Sequence, residues 1–191
     1  LAYSLVSLGV LAWLIVAAGR APYVEVWAPA PWQRWVPFLM MPIVFVLVAC
    51  AVGKPNPLSF GGWRNEAFDP AYPGIAGVVR HPILWALFLW AAAHLIPNGD
   101  LAHVILFGLF ALFAFTGQRA VDKRMKRRLS AGEWEGLAAN TSSYPFTALF
   151  SGRWAPDYRK FPSGRVGTGL LLFVLVLYAH QPMIGLSPFP S

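Results

Sequence analysis

Apolar residues dominate five long stretches of the chain, at about 1–19, 36–53, 82–97, 101–118 and 166–186, with polar and turn-forming residues gathered between them. Each stretch approaches the roughly 20 residues that an α-helix needs to cross about 30 Å of hydrocarbon. The pattern predicts one all-α domain over residues 1–191, a polytopic transmembrane bundle of five spans. Local signals fit those limits. Pro37 and Pro42 fall in the first two turns of the second span, and Pro82 takes the favoured first position of the third. Only "PNGD" separates the third span from the fourth: Asn98 and Gly99 suit a helix end, while Asp100 suits the cap of the next helix. These two spans are expected to be antiparallel neighbours.

Composition agrees with the pattern. Hydrophobic residues make up 57% of the chain and charged residues only 12%, which places it in the bilayer and not in water. The net charge of +7 does not mark a nucleic-acid partner, because the basic residues lie between apolar runs and not across a reading face. They mark an orientation instead. Thirteen of the Lys and Arg residues, from Lys54 to Arg165, fall on one side if the "PNGD" turn is outside, leaving Arg20 and Arg34 on the other. Positive residues are retained on the cytoplasmic side. A multi-pass protein of a bacterial inner membrane is expected, with the basic segment at about 119–165 cytoplasmic and membrane lipid as its constant partner. "QRAVDKRMKRRLSAGEWEGL" is expected to extend the fourth helix beyond the bilayer, as a topology anchor touching anionic lipid heads. The lone cysteine, Cys50, sits in an apolar run and rules out an intrachain disulfide and a cysteine metal site. The chain opens on Leu1 directly into an apolar run, so a signal peptide is not expected and a further helix is expected ahead of residue 1.

The histidines carry the candidate chemistry. His81 and His94 are thirteen residues apart, about 20 Å along a helix at 1.5 Å per residue and on roughly opposite faces, so they cannot share a metal. His94, His103 and His180 are all predicted near the outer ends of their helices, at one depth and close to Asp100. Polar side chains at membrane depth suggest a ligand, a relay or a pathway; the alternative is that each only meets water or a carbonyl at the interface. A carboxylate-poor, cysteine-free helix bundle that bears imidazoles suits haem iron, copper or zinc better than magnesium or calcium. For a haem between two imidazoles, His94 with His180, or with a histidine ahead of residue 1, is easier than His94 with His103, which are joined by a tight turn. Leu87, Trp90 and Ala91 share the His94 face, where they could wall a macrocycle or simply pack helices. Arg80 and His81 read either as a charge anchor with a helix start, or as a site for an anionic head group or proton transfer.

The stretch "GVVRHPILWALFLWAAAHLIPNGDLAHVILFGLFALFA", with "DKRMKRRLSAGEWEGL", "TSSYPF" and the closing "HQPMIGLSP", resembles the NnrU family of bacterial membrane proteins. Plant and cyanobacterial 15-cis-zeta-carotene isomerase is similar to that family over the same region. The resemblance implies a haem b protein with His94 as an axial ligand, and a role in nitric oxide or nitrite reduction beside respiratory or denitrification enzymes. It also implies a second possibility, a haem-dependent isomerase of a carotenoid-like polyene. In that enzyme's pattern a cysteine precedes the axial histidine by three residues, and here the position holds Ala91. A cofactor-free assembly factor or transporter is the third reading.

Overall fold

The structure is a computed structural model that describes residues 2–190, excluding the side chains of residues 2–4 and 8. Among the described residues it is all helical, without strands. Eight α-helices follow in order: α1 Ala2–Arg20, α2 Trp35–Ala51, α3 Ile75–Val78, α4 Pro82–Leu95, α5 Leu101–Arg128, α6 Ala131–Ala138, α7 Thr147–Phe150 and α8 Ser163–Ile184. The long helices stand in a row, α8 against α2, α2 against α4, α4 against α5 and α5 against α1. Burial follows from that order. The central helices α2 and α4 hold most of the buried side chains of the bundle, Val44, Cys50, Leu84, Trp85 and Ala91 among them. On α8 only Gly169 is buried, while Leu171, Val174 and Leu175 are exposed. Such apolar outer faces are what a hydrocarbon solvent requires.

Among the described residues three helices are long and apolar enough to cross a membrane, Pro31–Ala51, Leu101–Arg128 and Ser163–Ile184, and not the five expected from the sequence. The expected span at 82–97 is shortened at its end. Helix α4 has 14 residues, starting at Pro82 and ending at Leu95, and at 1.5 Å per residue reaches only about 21 Å. In α1, the run Leu5–Arg20 is apolar but shorter than these three. A second difference concerns the basic extension. Helix α5 does run on through Arg128, but the chain then breaks at Leu129 and restarts as α6. A capping box explains the break: Ser130 accepts from the Glu133 backbone N–H at 3.3 Å, and the Glu133 carboxylate accepts from the Ser130 N–H at 2.8 Å.

Close approach fixes the α2–α8 pair. A Cβ on Gly169 would lie 2.7 Å from the Val46 Cα, so only hydrogen lets the two backbones meet there. The α4–α5 turn is clasped by the segment after α1. Val26 N–H donates to the Gly99 carbonyl at 2.8 Å, Leu101 N–H to the Val24 carbonyl at 2.8 Å, and the Trp27 indole to the Ile96 carbonyl at 2.9 Å. As expected, α4 and α5 are packed neighbours.

Candidate functional site

Two polar centres lie at opposite ends of α4. At the histidine end, the "PNGD" turn starts α5 through Asp100, whose carboxylate accepts from the His103 backbone N–H at 3.2 Å and from His103 Nδ1 at 2.8 Å. Burial alone would raise the Asp100 carboxyl, yet the hydrogen bonds from His103 hold it below the usual carboxylate range. Asn98 donates its amide to the His94 carbonyl at 2.7 Å and ends the helix. The Nδ1 of His103 is thereby engaged at the cap of α5.

His94 is held differently. Its Nδ1 lies 2.8 Å from the Trp90 carbonyl, which can only accept, so Nδ1 carries the proton and Nε2 keeps its lone pair. His180 repeats the arrangement, with Nδ1 2.9 Å from the Leu186 carbonyl. The tail can fold back that way because Gly185 adopts φ +85°, the left-handed region, at the end of α8. Helices α4 and α8 both pack on α2, one on each side, so these imidazoles come from helices set wider than directly packed neighbours. Trp90 and Phe107 flank the His94 ring, at centroid distances of 5.4 and 5.6 Å. Phe107 also stacks on His103 at 6.2 Å, in contact with both rings. Ala91 is fully buried.

The basic end holds a centre that the sequence only half disclosed. His81 is 1% exposed and Arg80 7%. Both reach Asp122 of α5: Arg80 donates an Nη1 hydrogen to Oδ2 at 2.8 Å, and His81 Nε2 lies 2.9 Å from Oδ1. Asp122 as a carboxylate only accepts, so His81 donates, and its Nδ1 lies 3.1 Å from the Ser59 hydroxyl. Arg80 Nε donates to Thr141 Oγ1 at 2.8 Å, and its guanidinium covers the Trp134 ring at 5.2 Å. Burial draws the Arg80 guanidinium below its ordinary range, against the pull of Asp122 in the other direction. The segment after α6 straps over this pair: Arg80 N–H donates to the Ser142 carbonyl at 2.6 Å, and the Ser142 hydroxyl donates to the Gly77 carbonyl at 2.6 Å. Asn56 holds the far side by donating to the Arg80 carbonyl at 2.9 Å. Arg80 and Asp122 are thus a buried ion pair, with His81 hydrogen-bonded to the same carboxylate. Asp122, Ser59 and Thr141 were missed because their partners lie between 22 and 61 residues away in sequence.

Two cavities open at the basic end. The larger, about 520 Å³, lies among Val46, Cys50, Tyr72, Trp154, Lys160 and Arg165. The smaller, about 220 Å³, is lined by His81, Phe115, Gln118, Arg119, Asp122, Ser143 and Tyr144. Neither includes His94. Among the described residues no group of three or more His, Cys, Asp or Glu side chains is placed to hold a metal ion, so a protein-only cage of the structural zinc kind is not present there.

Apolar helices of spanning length, joined by polar ends that are tied together inside the fold, define an all-helical membrane protein. The family model described as "NnrU protein" matches residues 1–188, and the chain belongs to the NnrU family. It is also 30% identical over 155 residues to the protein named 15-cis-zeta-carotene isomerase, chloroplastic, from Arabidopsis thaliana. That alignment covers 78% of this chain but 39% of the relative, so the chain spans about two fifths of the isomerase's length. No solved structure matches.

Proposed function

We propose that this NnrU-family protein binds haem b at the histidine end of the bundle, where His94 and His180 would hold the iron. The observation that carries the reading is the shared tautomer. In each ring Nδ1 is spent on a backbone carbonyl, which leaves Nε2 as a free, oriented donor to iron. The fit is chemical as well: two imidazoles and aromatic neighbours suit a haem, and two ligands suffice for one because the porphyrin supplies the other four. When bound, the haem would supply one-electron and small-gas chemistry. This chain's part is to hold the two imidazoles, to fix their tautomers through Trp90 and Leu186, and to surround the site with the apolar rings of Trp90 and Phe107. We place the basic end in the cytoplasm of a bacterial inner membrane, and assign the protein to nitric oxide or nitrite redox work or to support of the enzymes that do it.

The isomerase relative keeps a second reading open, in which a polyene is the substrate. The fully buried Ala91 weighs against a mechanism that needs a thiolate there. An oxidised-minus-reduced absorption spectrum of the full-length protein, purified in detergent with a haem supply, tests the first reading beside His94→Ala and His180→Ala variants. A b-type spectrum lost in His94→Ala supports it. A folded, haem-supplied protein with no Soret band sinks it and leaves an assembly or transport role.

A further inference from the structure

The smaller cavity contains an anomaly that the haem reading does not touch. Gln118, on the same face of α5 as Asp122 and one turn before it, is 7% exposed, and its amide nitrogen has no hydrogen-bond partner. A buried amide that donates to nothing costs about 1–3 kcal/mol, and native structures keep such groups rarely. Gln118 lines a cavity of about 220 Å³. That is many times the roughly 15 Å³ needed to lodge one water. What else faces the cavity defines its occupant. Arg119 lies at the mouth, its Nη2 donating to the Tyr144 hydroxyl at 3.1 Å, so that the phenol keeps its own proton to give. Asp122 is the one carboxylate of the lining, and both its oxygens are already engaged, by Arg80 and His81. The Gln118 amide N–H and the Tyr144 hydroxyl are therefore donors left to a ligand beside the Arg119 cation. Lys123, Arg124 and Lys126 follow on the same helix and add positive charge nearby.

We infer that this cavity is a binding site for a phosphate group, held by the Gln118 amide, the Arg119 guanidinium and the Tyr144 hydroxyl at the basic end of the bundle. A phosphate offers several acceptor oxygens to donors that converge, and a guanidinium recognises it with paired hydrogen bonds. The group arrives either as inorganic phosphate or as the phosphodiester of an anionic lipid. The mouth of the site is open to both, since Ser143 and Tyr144 are exposed.

The test uses the full chain in nanodiscs of phosphatidylcholine and the thermal midpoint read by tryptophan fluorescence; Trp85, whose ring lies 6.4 Å from that of Tyr144, reports locally. Inorganic phosphate is added against sodium chloride of equal ionic strength, and a second set of discs contains phosphatidylglycerol. The same discs are assayed for co-purified phosphatidylglycerol by native mass spectrometry. A saturable rise with phosphate alone identifies the free ion. A rise and retained lipid only with phosphatidylglycerol identify the head group. In Gln118→Leu and Gln118→Glu the effect should weaken at least tenfold in apparent affinity, and Gln118→Leu in phosphatidylcholine discs without added inorganic phosphate should melt at the wild-type temperature or higher, because it removes an unpaired donor. Three results overturn the inference: no rise with either source, the same rise with chloride, or Gln118→Leu melting well below wild type in phosphatidylcholine discs without added inorganic phosphate.

Discussion

Replacing Asp122 by alanine strips two buried donors of their common acceptor. Arg80 and His81 have side chains 8% and 1% exposed, and they approach the carboxylate at 2.8 and 2.9 Å. Breaking a buried pair by removing one partner costs about 3–5 kcal/mol, because the other charge stays behind in a medium that solvates it badly. Two details move the expectation to the lower limit. The Asp122 side chain is 21% exposed, so water can reach the vacated space, and Arg80 keeps Thr141 through Nε. A loss of about 3 kcal/mol follows, a large part of the roughly 5–15 kcal/mol that a domain has. The assay is a thermal melt of the detergent-purified protein with near-UV circular dichroism, which reports the packing of Trp134 and Trp85. Asp122→Asn should lose less, since its carbonyl oxygen still accepts from His81. Combining it with Arg80→Met should recover part of the loss by leaving no unpaired charge, a coupling on the order of 1 kcal/mol or more. A loss under about 1 kcal/mol for Asp122→Ala, or strict additivity in the double variant, would refute the view that this trio is a mutually dependent buried centre.

At the other end, Asp100 caps α5 with a carboxyl held below its ordinary range, so its contribution is complete above about pH 4, the unfolded value, and disappears as the pH falls through the lowered folded value. Melting midpoints taken from pH 6 to pH 3 should show an acid limb that flattens in Asp100→Asn. Gly169→Val should force α8 away from the Val46 backbone and cost about 1–3 kcal/mol; limited proteolysis that finds α8 no more open than in wild type would contradict the close approach. Ser130→Ala removes half of the capping box and should cost about 1 kcal/mol, visible as faster amide exchange confined to α6. Faster exchange along α5 instead would show that the two helices form one unit.

The apolar pattern located α2, α5 and α8 because those helices are long and meet lipid on their outer faces, so burial and hydropathy point the same way. It overextended α4. There the residues after Leu95 are apolar enough to look like helix, yet Ile96 and Gly99 have their carbonyls taken by Trp27 and Val26, a tertiary contact that no local spacing announces. The histidine end was legible for a related reason. His94, Asn98, Asp100 and His103 lie within ten residues, and their mutual bonds are of the i to i+3 and i to i+4 kind.

The basic end was hidden by its own charge. Within "QRAVDKRMKRRL" the cations read as a solvated face, and Asp122 as one more surface charge among them. A helical stripe was nonetheless present. Ala114, Gln118, Asp122, Met125 and Leu129 recur at intervals of three and four, which is one face of a helix, and the structure turns that face inward: Ala114 and Gln118 are buried, and Met125 and Leu129 pack on the Leu58, Trp134 and Ala138 cluster. A carboxylate and an amide on an otherwise apolar stripe must be matched by donors and acceptors from elsewhere, because burial without partners is too costly. Asp122 found Arg80 and His81, which is why "RHP" begins α4 as it does. Gln118 found no protein partner, and the space beside it is where a ligand can complete the stripe.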